Sequence, residues 1–290
     1  MDRWFAEFLA CPDCGNEVAA AEGWVVCNRC RYRATAQERQ IDLKPSNPAA
    51  CTLVFQRSSS AAELLKAIPI ERPACDYDGP PAARDSREFA SVMRPYLPPA
   101  AKVLDLGCGP RDQAPVFEHL GCKYVGMDYS GSAADILADA HAIPFRSETF
   151  DAVFSYAVLE HLYNPFLAIV EIHRVLKPGG IYCGTVSQGE PFHNSYFHHS
   201  AWGLLSLVET SGMNVQRMWP SRDTLRALSS MGKYPRVVRA LLRAIDVLHA
   251  RLPILAPQKM LRWSERDRKL DELYRAGSIC FLIQKSAATG

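Results

Sequence analysis

Four cysteines near the N-terminus have the spacing of a metal site. Cys11 and Cys14 form one CxxC pair, Cys27 and Cys30 form a second, and 12 residues separate the pairs. Two such pairs bring four thiolates to one point and complete a tetrahedral zinc site. Because four protein ligands leave no open position for a substrate, we predict a structural zinc. The alternative, four unligated cysteines, is disfavoured by the doubled spacing.

A glycine-rich turn follows the first strand pattern of the central region. The segment VLDLGCGP (103–110) runs from a predicted strand into Gly107 and Gly109, where glycines let the backbone approach a ligand closely. A second predicted strand ends in Asp128, where a carboxylate can accept hydrogen bonds from ribose hydroxyls. This pairing predicts a cofactor with a nucleoside part. An NAD-dependent oxidoreductase is the alternative, although it more often shows GxGxxG.

Five segments in order make the chain resemble the class I (Rossmann-like) S-adenosylmethionine-dependent methyltransferases. They are VLDLGCGP (103–110), VGMDYS (125–130), ADAHAIPF (138–145), FDAVFSYAVLEHL (150–162) and EIHRVLKPGG (171–180). The resemblance covers about residues 101–220 and extends through the last strand to 285. It implies methyl transfer from S-adenosylmethionine. The LEHL and RVLKPGG segments are not part of the NAD-enzyme pattern, so that alternative ranks far behind.

The resemblance implies cofactor contacts for seven residues. Gly107 and Gly109 would pass under the methionine and ribose parts, and Asp128 would hold the ribose diol. Asp105 would hold the glycine turn or the amino group of the cofactor. The other three would border the adenine or lie beside the sulfonium: Asp139, Ala140 and Ser155.

Four histidines near strand ends are the predicted catalytic residues. His161 follows the fourth predicted strand, and the loop after the fifth strand holds His193, His198 and His199. Methyl transfer is an in-line displacement that depends on alignment, and a general base helps when the nucleophile carries a proton. The alternative for each histidine is a structural ring that hydrogen-bonds to the backbone. Metal binding by the loop histidines is disfavoured, since no carboxylate partner lies at helical spacing.

Alternating strands and helices must position these residues, which is typical of a doubly wound α/β sheet. We predict a seven-stranded Rossmann-like methyltransferase sheet with an N-terminal zinc ribbon and a helical insertion before the last strand. The predicted strands lie at 102–107, 123–128, within 134–140, and at 150–156, 181–187, 214–219 and 277–285. The predicted helices cover 113–120, 165–176 and 204–211. The predicted units are a zinc-ribbon module (1–44), a helical connector (45–100) and a methyltransferase domain (101–290).

Residues 221–275 form a long insertion before the last strand, and we predict that it acts as a lid. Apolar residues recur at helical spacing there, beside Arg236, Arg239, Arg243 and Arg251. Such a basic amphipathic helix either packs on its own domain or lies on a membrane or an acidic partner. We favour the lid.

Composition limits the class of protein and the acceptor. The chain has 290 residues, 48% apolar and 22% charged, with a net charge of +2, so overall charge does not point to nucleic acid or membrane. No apolar run of about 18 residues and no leader pattern is present, which predicts a cytoplasmic protein without a membrane span.

The acceptor predicted is an O or N nucleophile of a small molecule or glycan. The second hypothesis is RNA, since a cysteine module before such a domain also resembles ribosomal RNA guanine methyltransferases. The third is a protein that binds S-adenosylmethionine or a partner without turnover.

Overall fold

The N-terminal module is a small antiparallel sheet that carries the four cysteines. The computed structural model describes residues 3–21, 23–46, 86–190, 194–209, 211–224, 228–229, 234–251 and 273–287. The sheet of the module has the order β1-β2-β3. Its strands are β1 (Val18–Ala21), β2 (Trp24–Cys27) and β3 (Arg33–Thr35).

The second sheet contains eight strands in the order β10-β11-β9-β8-β5-β6-β7-β4. All neighbours are parallel except β11, which is antiparallel to both β9 and β10. The strands are β4 (Ile41–Asp42), β5 (Lys102–Leu106), β6 (Lys123–Asp128), β7 (Ile136–Leu137), β8 (Phe150–Tyr156), β9 (Leu176–Ser187), β10 (Met213–Asp223) and β11 (Ala276–Lys285).

The strand count corrects the predicted seven to eight. Residues 101–290 contribute seven strands, and β6 and β8 have the predicted bounds. The eighth strand, β4, belongs to the N-terminal module and pairs with β7 in parallel register. A two-residue strand has too few positions to show an alternating pattern, so the sequence did not indicate it.

Five α-helices flank the sheet or extend from it in the described regions. They are α1 (Ser86–Met93), α2 (Ala114–His119), α3 (Pro165–Val175), α4 (Ala201–Glu209) and α5 (Arg236–Arg251). Asn164 caps α3 by accepting a hydrogen bond from the Leu167 amide at 3.2 Å, and Pro165 fits the first turn because it needs no donor. The segment 177–180, predicted as the stop after α3, lies inside β9. No helix in the described part of the chain is long and apolar enough to cross a membrane.

The N-terminal module and the eight-stranded sheet share one hydrophobic core. Phe5 and Leu9 of the module are buried in the same cluster as Leu104 and Ile136 of the sheet. The Trp4 ring packs edge-on against Phe150 with 6.4 Å between centroids. A module of this size buries too little surface to fold alone, and this shared core provides part of the missing stabilisation.

The insertion is closed at its base, and its helix exposes an apolar face. The Thr224 amide donates to the Arg275 carbonyl at 3.0 Å, which joins the two ends of the insertion. Along α5, Val237, Leu241 and Ile245 are exposed, by 80% in the case of Val237. These side chains do not pack on the sheet, and the role of 221–275 as a lid stays a prediction. Residues 225–227, 230–233 and 252–272, and most of the 45–100 connector, lie outside the described residues.

A substitution at Gly184 tests the packing of the central sheet. A Cβ atom there would lie 1.9 Å from the Ser155 carbonyl oxygen on β8, so β9 must shift to accept it. We expect Gly184→Ala to lower the free energy of unfolding by about 1–3 kcal/mol in denaturant titrations. The control is Gly203→Ala in α4, where the nearest atom is 3.4 Å away. That variant should change stability by less than about 1 kcal/mol; equal effects would contradict the packing argument.

Candidate active site

A cavity of 570 Å³ opens where β5, β6 and β8 end. This is the carboxyl edge of the parallel strands, where open α/β sheets bind ligands, and the volume suits a small cofactor. His161 lines the cavity, as predicted for a catalytic residue. Four of the seven residues predicted to contact the cofactor also line it: Gly107, Asp128, Asp139 and Ala140.

Gly107 and Asp128 shape the floor of this cavity. Gly107 has φ +71, and a Cβ atom there would lie 2.4 Å from Val158 Cγ2, so no other residue fits without movement. The Gly109 amide donates to Asp128 Oδ2 at 2.9 Å, and the Ser130 amide donates to Oδ1 at 3.2 Å. Asp128 thus orders the glycine turn and still has lone pairs for a ligand, because a carboxylate accepts about four hydrogen bonds.

Asp139 and His141 form a buried pair at one wall. The His141 ring Nδ1 lies 2.5 Å from Asp139 Oδ1, and the Asn164 amide donates to His141 Nε2 at 3.3 Å. Because Nε2 accepts, the proton of the neutral ring is on Nδ1 and points to Asp139. Burial alone would raise the pKa of Asp139, but the hydrogen bonds from His141 lower it below its ordinary value. The wall therefore presents a charged carboxylate.

Asp105 and Ser155 lie behind the cavity, outside its lining. The Tyr124 hydroxyl donates to Asp105 Oδ2 at 2.6 Å, and Ser155 Oγ shares a hydrogen bond of 2.7 Å with the Tyr182 hydroxyl. Burial raises the pKa of Asp105 to about 7, against the lowering effect of the Tyr124 hydrogen bond. In this arrangement both side chains brace the ends of β5 and β8. A direct cofactor contact by either, and by Gly109, stays a prediction.

Three of the four predicted catalytic histidines lie in the described residues, and they have different environments. His161 Nδ1 lies 2.8 Å from the Asn194 carbonyl at the cavity wall, so Nδ1 carries a proton and Nε2 is the basic nitrogen of the neutral ring. His198 is exposed and outside the cavity lining. His199 is buried away from the cavity, and burial lowers its pKa. His193 lies outside the described residues.

Glu160 joins the turn before the cavity to the aromatic loop 194–199. Its backbone carbonyl accepts from the Tyr196 and Phe197 amides at 2.8 and 3.2 Å, and its Oε1 accepts from the Ser187 amide at 3.1 Å. Burial raises the pKa of Glu160 to about 7. The side chain thus holds the end of β9 beside the loop that carries Tyr196 into the cavity lining.

Tyr163 was not identified from the sequence as part of the site, and Arg111 has a partner that the sequence did not indicate. Tyr163 lines the cavity, and its ring packs on His141 with centroids 4.1 Å apart. Arg111, which replaces a glycine common in the family, pairs with Asp135, and Asp135 Oδ2 also accepts from the Gly126 amide at 2.8 Å. Tyr163 was detectable in principle, because it directly follows the LEHL segment that the resemblance included.

The four cysteines meet in the module as predicted. Their sulfur atoms all lie within 4.8 Å of one another, with 3.5 Å between Cys11 and Cys30 and 3.6 Å between Cys14 and Cys27. Zinc–sulfur bonds of about 2.3 Å in a tetrahedron place sulfurs about 3.8 Å apart, so the cluster fits zinc. It lies outside the lining of the 570 Å³ cavity, consistent with a structural metal.

Comparisons with known proteins agree with this geometry. A family model described as a methyltransferase domain matches residues 104–184. The chain is 33% identical over 108 residues to a malonyl-[acyl-carrier protein] O-methyltransferase of Enterobacter lignolyticus, covering 33% of this chain and 43% of the relative. It is 26% identical over 175 residues to a demethylmenaquinone methyltransferase of Streptomyces griseus, covering 52% and 76%.

The name of a third relative indicates that it acts on RNA. The chain is 36% identical over 157 residues to a tRNA (carboxymethyluridine(34)-5-O)-methyltransferase of Arabidopsis thaliana, covering 46% of this chain and 37% of the relative. The chain thus spans less than half the length of two of these three relatives. The matched region contains the glycine turn, Asp128 and the cavity wall. Residues 104–184 therefore carry a methyltransferase domain, and a four-cysteine cluster that fits zinc lies before it.

Proposed function

We propose that this protein transfers a methyl group from S-adenosylmethionine to an O or N nucleophile of a small molecule or glycan. The observation that carries the proposal is the cavity at the ends of β5, β6 and β8, with Gly107 and Asp128 at its floor and a second carboxylate, Asp139, on its wall. A structural zinc and thiolate ligands fit a reducing compartment, so we place the protein in the cytoplasm.

The cofactor would lie along the edge of the sheet. Asp128 accepts hydrogen bonds from the ribose diol, and the carboxylate of Asp139 accepts from the exocyclic amine of adenine. The backbone at Gly107 allows close approach of the methionine part because no side chain occupies that space. Ala157 and Val158, at the end of β8, line the same cavity and would contact the part of the cofactor that carries the methyl group.

The acceptor would enter through the aromatic side of the cavity. Tyr129, Tyr163 and Tyr196 line it and are 55%, 37% and 70% exposed. Such rings favour an apolar or planar acceptor, because they bury large area with few rotatable bonds. In the reaction the nucleophile bonds to the methyl carbon while the carbon–sulfur bond breaks, and the sulfur leaves as a neutral thioether. In this proposal His161 is the general base and takes the proton of the nucleophile.

RNA methylation is a second candidate, because the module has basic and aromatic side chains on its surface. The Arg33 guanidinium lies 3.9 Å from the centre of the half-exposed Trp24 ring, and Arg29, Arg31 and Arg39 are exposed. Aromatic rings beside cations bind single-stranded RNA by stacking and charge. Incubation with labelled S-adenosylmethionine and separate metabolite, glycan and RNA fractions distinguishes the candidates. Cofactor binding with no S-adenosylhomocysteine formed in any fraction would indicate a non-catalytic binding protein.

The RNA candidate has its own expected result. If RNA is the acceptor, labelled RNA should bind with an affinity that falls steeply as salt rises, because bound cations are released from the phosphates. The measurement is the dissociation constant between about 50 and 200 mM salt. An affinity that does not change over this range would rule out RNA.

Asp128→Ala tests the cofactor site. The variant loses the acceptor for the ribose diol and the group that orders Gly109, so S-adenosylmethionine should bind about 30-fold more weakly, which is about 2 kcal/mol. Isothermal titration calorimetry measures the change. Glu118→Ala, which removes an exposed carboxylate from α2, is the control and should bind as the unchanged protein does. Equal affinities in both variants would refute this placement of the cofactor.

His161→Gln tests the proposed base. A general base accelerates proton transfer by about 100-fold or more, so kcat with the identified acceptor should fall by about that factor. The dissociation constant for S-adenosylmethionine should stay the same, because the base acts on the acceptor. His198→Gln removes an exposed ring outside the cavity lining and should retain full kcat. If His161→Gln also retains full kcat, alignment alone supports the reaction and His161 is not the base.

A further inference from the structure

The wall of the cavity that would hold adenosine is a segment held partly by its own domain, where the Arg174 side chain donates to the Ile143 and Phe145 carbonyls, and partly by the N-terminal module. Residues 128–146, called here the wall segment, line the cavity through Asp128, Tyr129 and the stretch 138–141. The segment has no helix between β6 and β7, and β7 itself has only two residues. A short strand at the edge of a sheet has backbone groups on its outer side that need partners.

The cysteine module supplies those partners along the outer side of β7. The Ile41 amide donates to the Asp135 carbonyl at 3.0 Å, and the Leu43 amide donates to the Leu137 carbonyl at 2.7 Å. These bonds continue the parallel pairing of β4 with β7.

The Gln40 side chain binds the loop that precedes β7. Its Nε2 donates to the Gly131 and Ala134 carbonyls, both at 2.9 Å. Because both partners are carbonyl oxygens, the amide nitrogen is the only end of the side chain that fits there. Gln40 therefore adds two hydrogen bonds from the module to a loop that its own domain also holds through the Arg111–Asp135 pair.

The other end of the wall segment is held from the same module. The Ala10 amide donates to the Pro144 carbonyl at 3.0 Å, and the Arg146 amide donates to the Phe8 carbonyl at 2.9 Å. Ala10 directly precedes Cys11, and the Cys11 carbonyl accepts from the Gly15 amide within the first cysteine knuckle. His141 lines the cofactor cavity and also a second cavity of 380 Å³, which Cys11 and Pro12 border from the module.

The metal site connects the contact at Ala10 with the contacts that β4 makes. Cys11 follows the contact at Ala10, and Tyr32, two residues after Cys30, donates its hydroxyl hydrogen to the Lys44 carbonyl at 2.7 Å, just beyond β4. A metal bound by the four thiolates ties the knuckles together and thus fixes Ala10 relative to β4. Without it, the two contacts are linked by the small sheet β1-β2-β3, by the shared hydrophobic core and by the Ser46 amide, which donates to Asp13 Oδ1 at 2.8 Å.

We propose that Gln40 and β4 are positioning residues for the cofactor, and that the metal-loaded cysteine module sets the affinity for S-adenosylmethionine by holding the wall segment. This inference rests on the proposed function, because it assumes that the 570 Å³ cavity binds S-adenosylmethionine. It assigns the module a role in cofactor binding that does not require any contact between module and acceptor.

The test compares Gln40→Glu with Gln37→Glu in the full-length, zinc-loaded protein. Both variants replace an amide by a carboxylate in the same module, but the Gln37 side chain is exposed. At Gln40 the carboxylate cannot donate and faces two carbonyl oxygens. We expect Gln40→Glu to weaken S-adenosylmethionine binding about tenfold by calorimetry at a temperature well below unfolding. Gln37→Glu should bind as the unchanged protein does, and both variants should keep about one zinc per chain.

Two further measurements separate positioning from general stability. Amide hydrogen exchange of the wall segment should become faster in Gln40→Glu, and bound S-adenosylmethionine should restore it. Removal of zinc by a chelator should weaken cofactor binding by at least about tenfold, and added zinc should reverse this. A variant with a lower melting temperature but unchanged cofactor affinity would show a merely structural role and overturn the proposal.

The outcomes distinguish this inference from the proposed function. If the unchanged, zinc-loaded protein does not bind S-adenosylmethionine, the proposed function fails and this inference fails with it. If the unchanged protein binds the cofactor but Gln40→Glu and the zinc-free protein bind it equally well, the proposed function stands and only the positioning role is refuted.

Discussion

The parallel pairing of β5 with β6 on one side and β8 on the other determines where chemistry can occur in this molecule. Leu106 is paired with Met127 and with Ser155, so the three strands end at the same level. Everything that lines the floor of the cavity follows from this register. Gly107 directly follows β5 and Asp128 is the last residue of β6, so these two residues meet. Ala157 directly follows β8. A shift of one residue in the pairing of β5 with β6 would turn the Asp128 side chain to the opposite face of the sheet.

The second constraint is that the sheet continues into the N-terminal module. The module adds a strand, shares the core and binds both ends of the wall segment, so it is part of the cavity's architecture even though its cysteines lie outside the cavity. Division of the chain into a separate ribbon and a separate enzyme is therefore a weak description of the folded protein. A metal bound by the four cysteines would contribute folding free energy to the module, and this would also help to order the wall that β4 contacts.

Local patterns in the sequence were sufficient for the frame of the fold and for half of the site. Alternating apolar strands predicted β6 and β8 to the residue, and the doubled CxxC spacing predicted the cysteine cluster. Strand β4 and the Gln40 contacts could not be predicted, because they depend on pairing over about 90 residues and leave no periodic pattern. Asp105 shows the same limit: an acidic residue at that position fits the family motif, yet the burial of its side chain beside Tyr124 depends on tertiary packing.

The hydrogen bond between Thr224 and Arg275 has a consequence for how this protein diversifies. It closes the insertion at its base, and the Gln188 side chain adds hydrogen bonds to the Leu273 and Ala276 carbonyls on the returning chain. The two ends of the insertion are therefore held next to each other at the sheet, and this does not depend on the length or sequence of the insertion. Because the entropic cost of a longer loop grows only slowly with its length, evolution can exchange this segment for another without disturbing the cofactor edge. If the insertion acts as the predicted lid, segment 224–275 can be exchanged to change the acceptor while the residues that would hold the methyl donor stay the same.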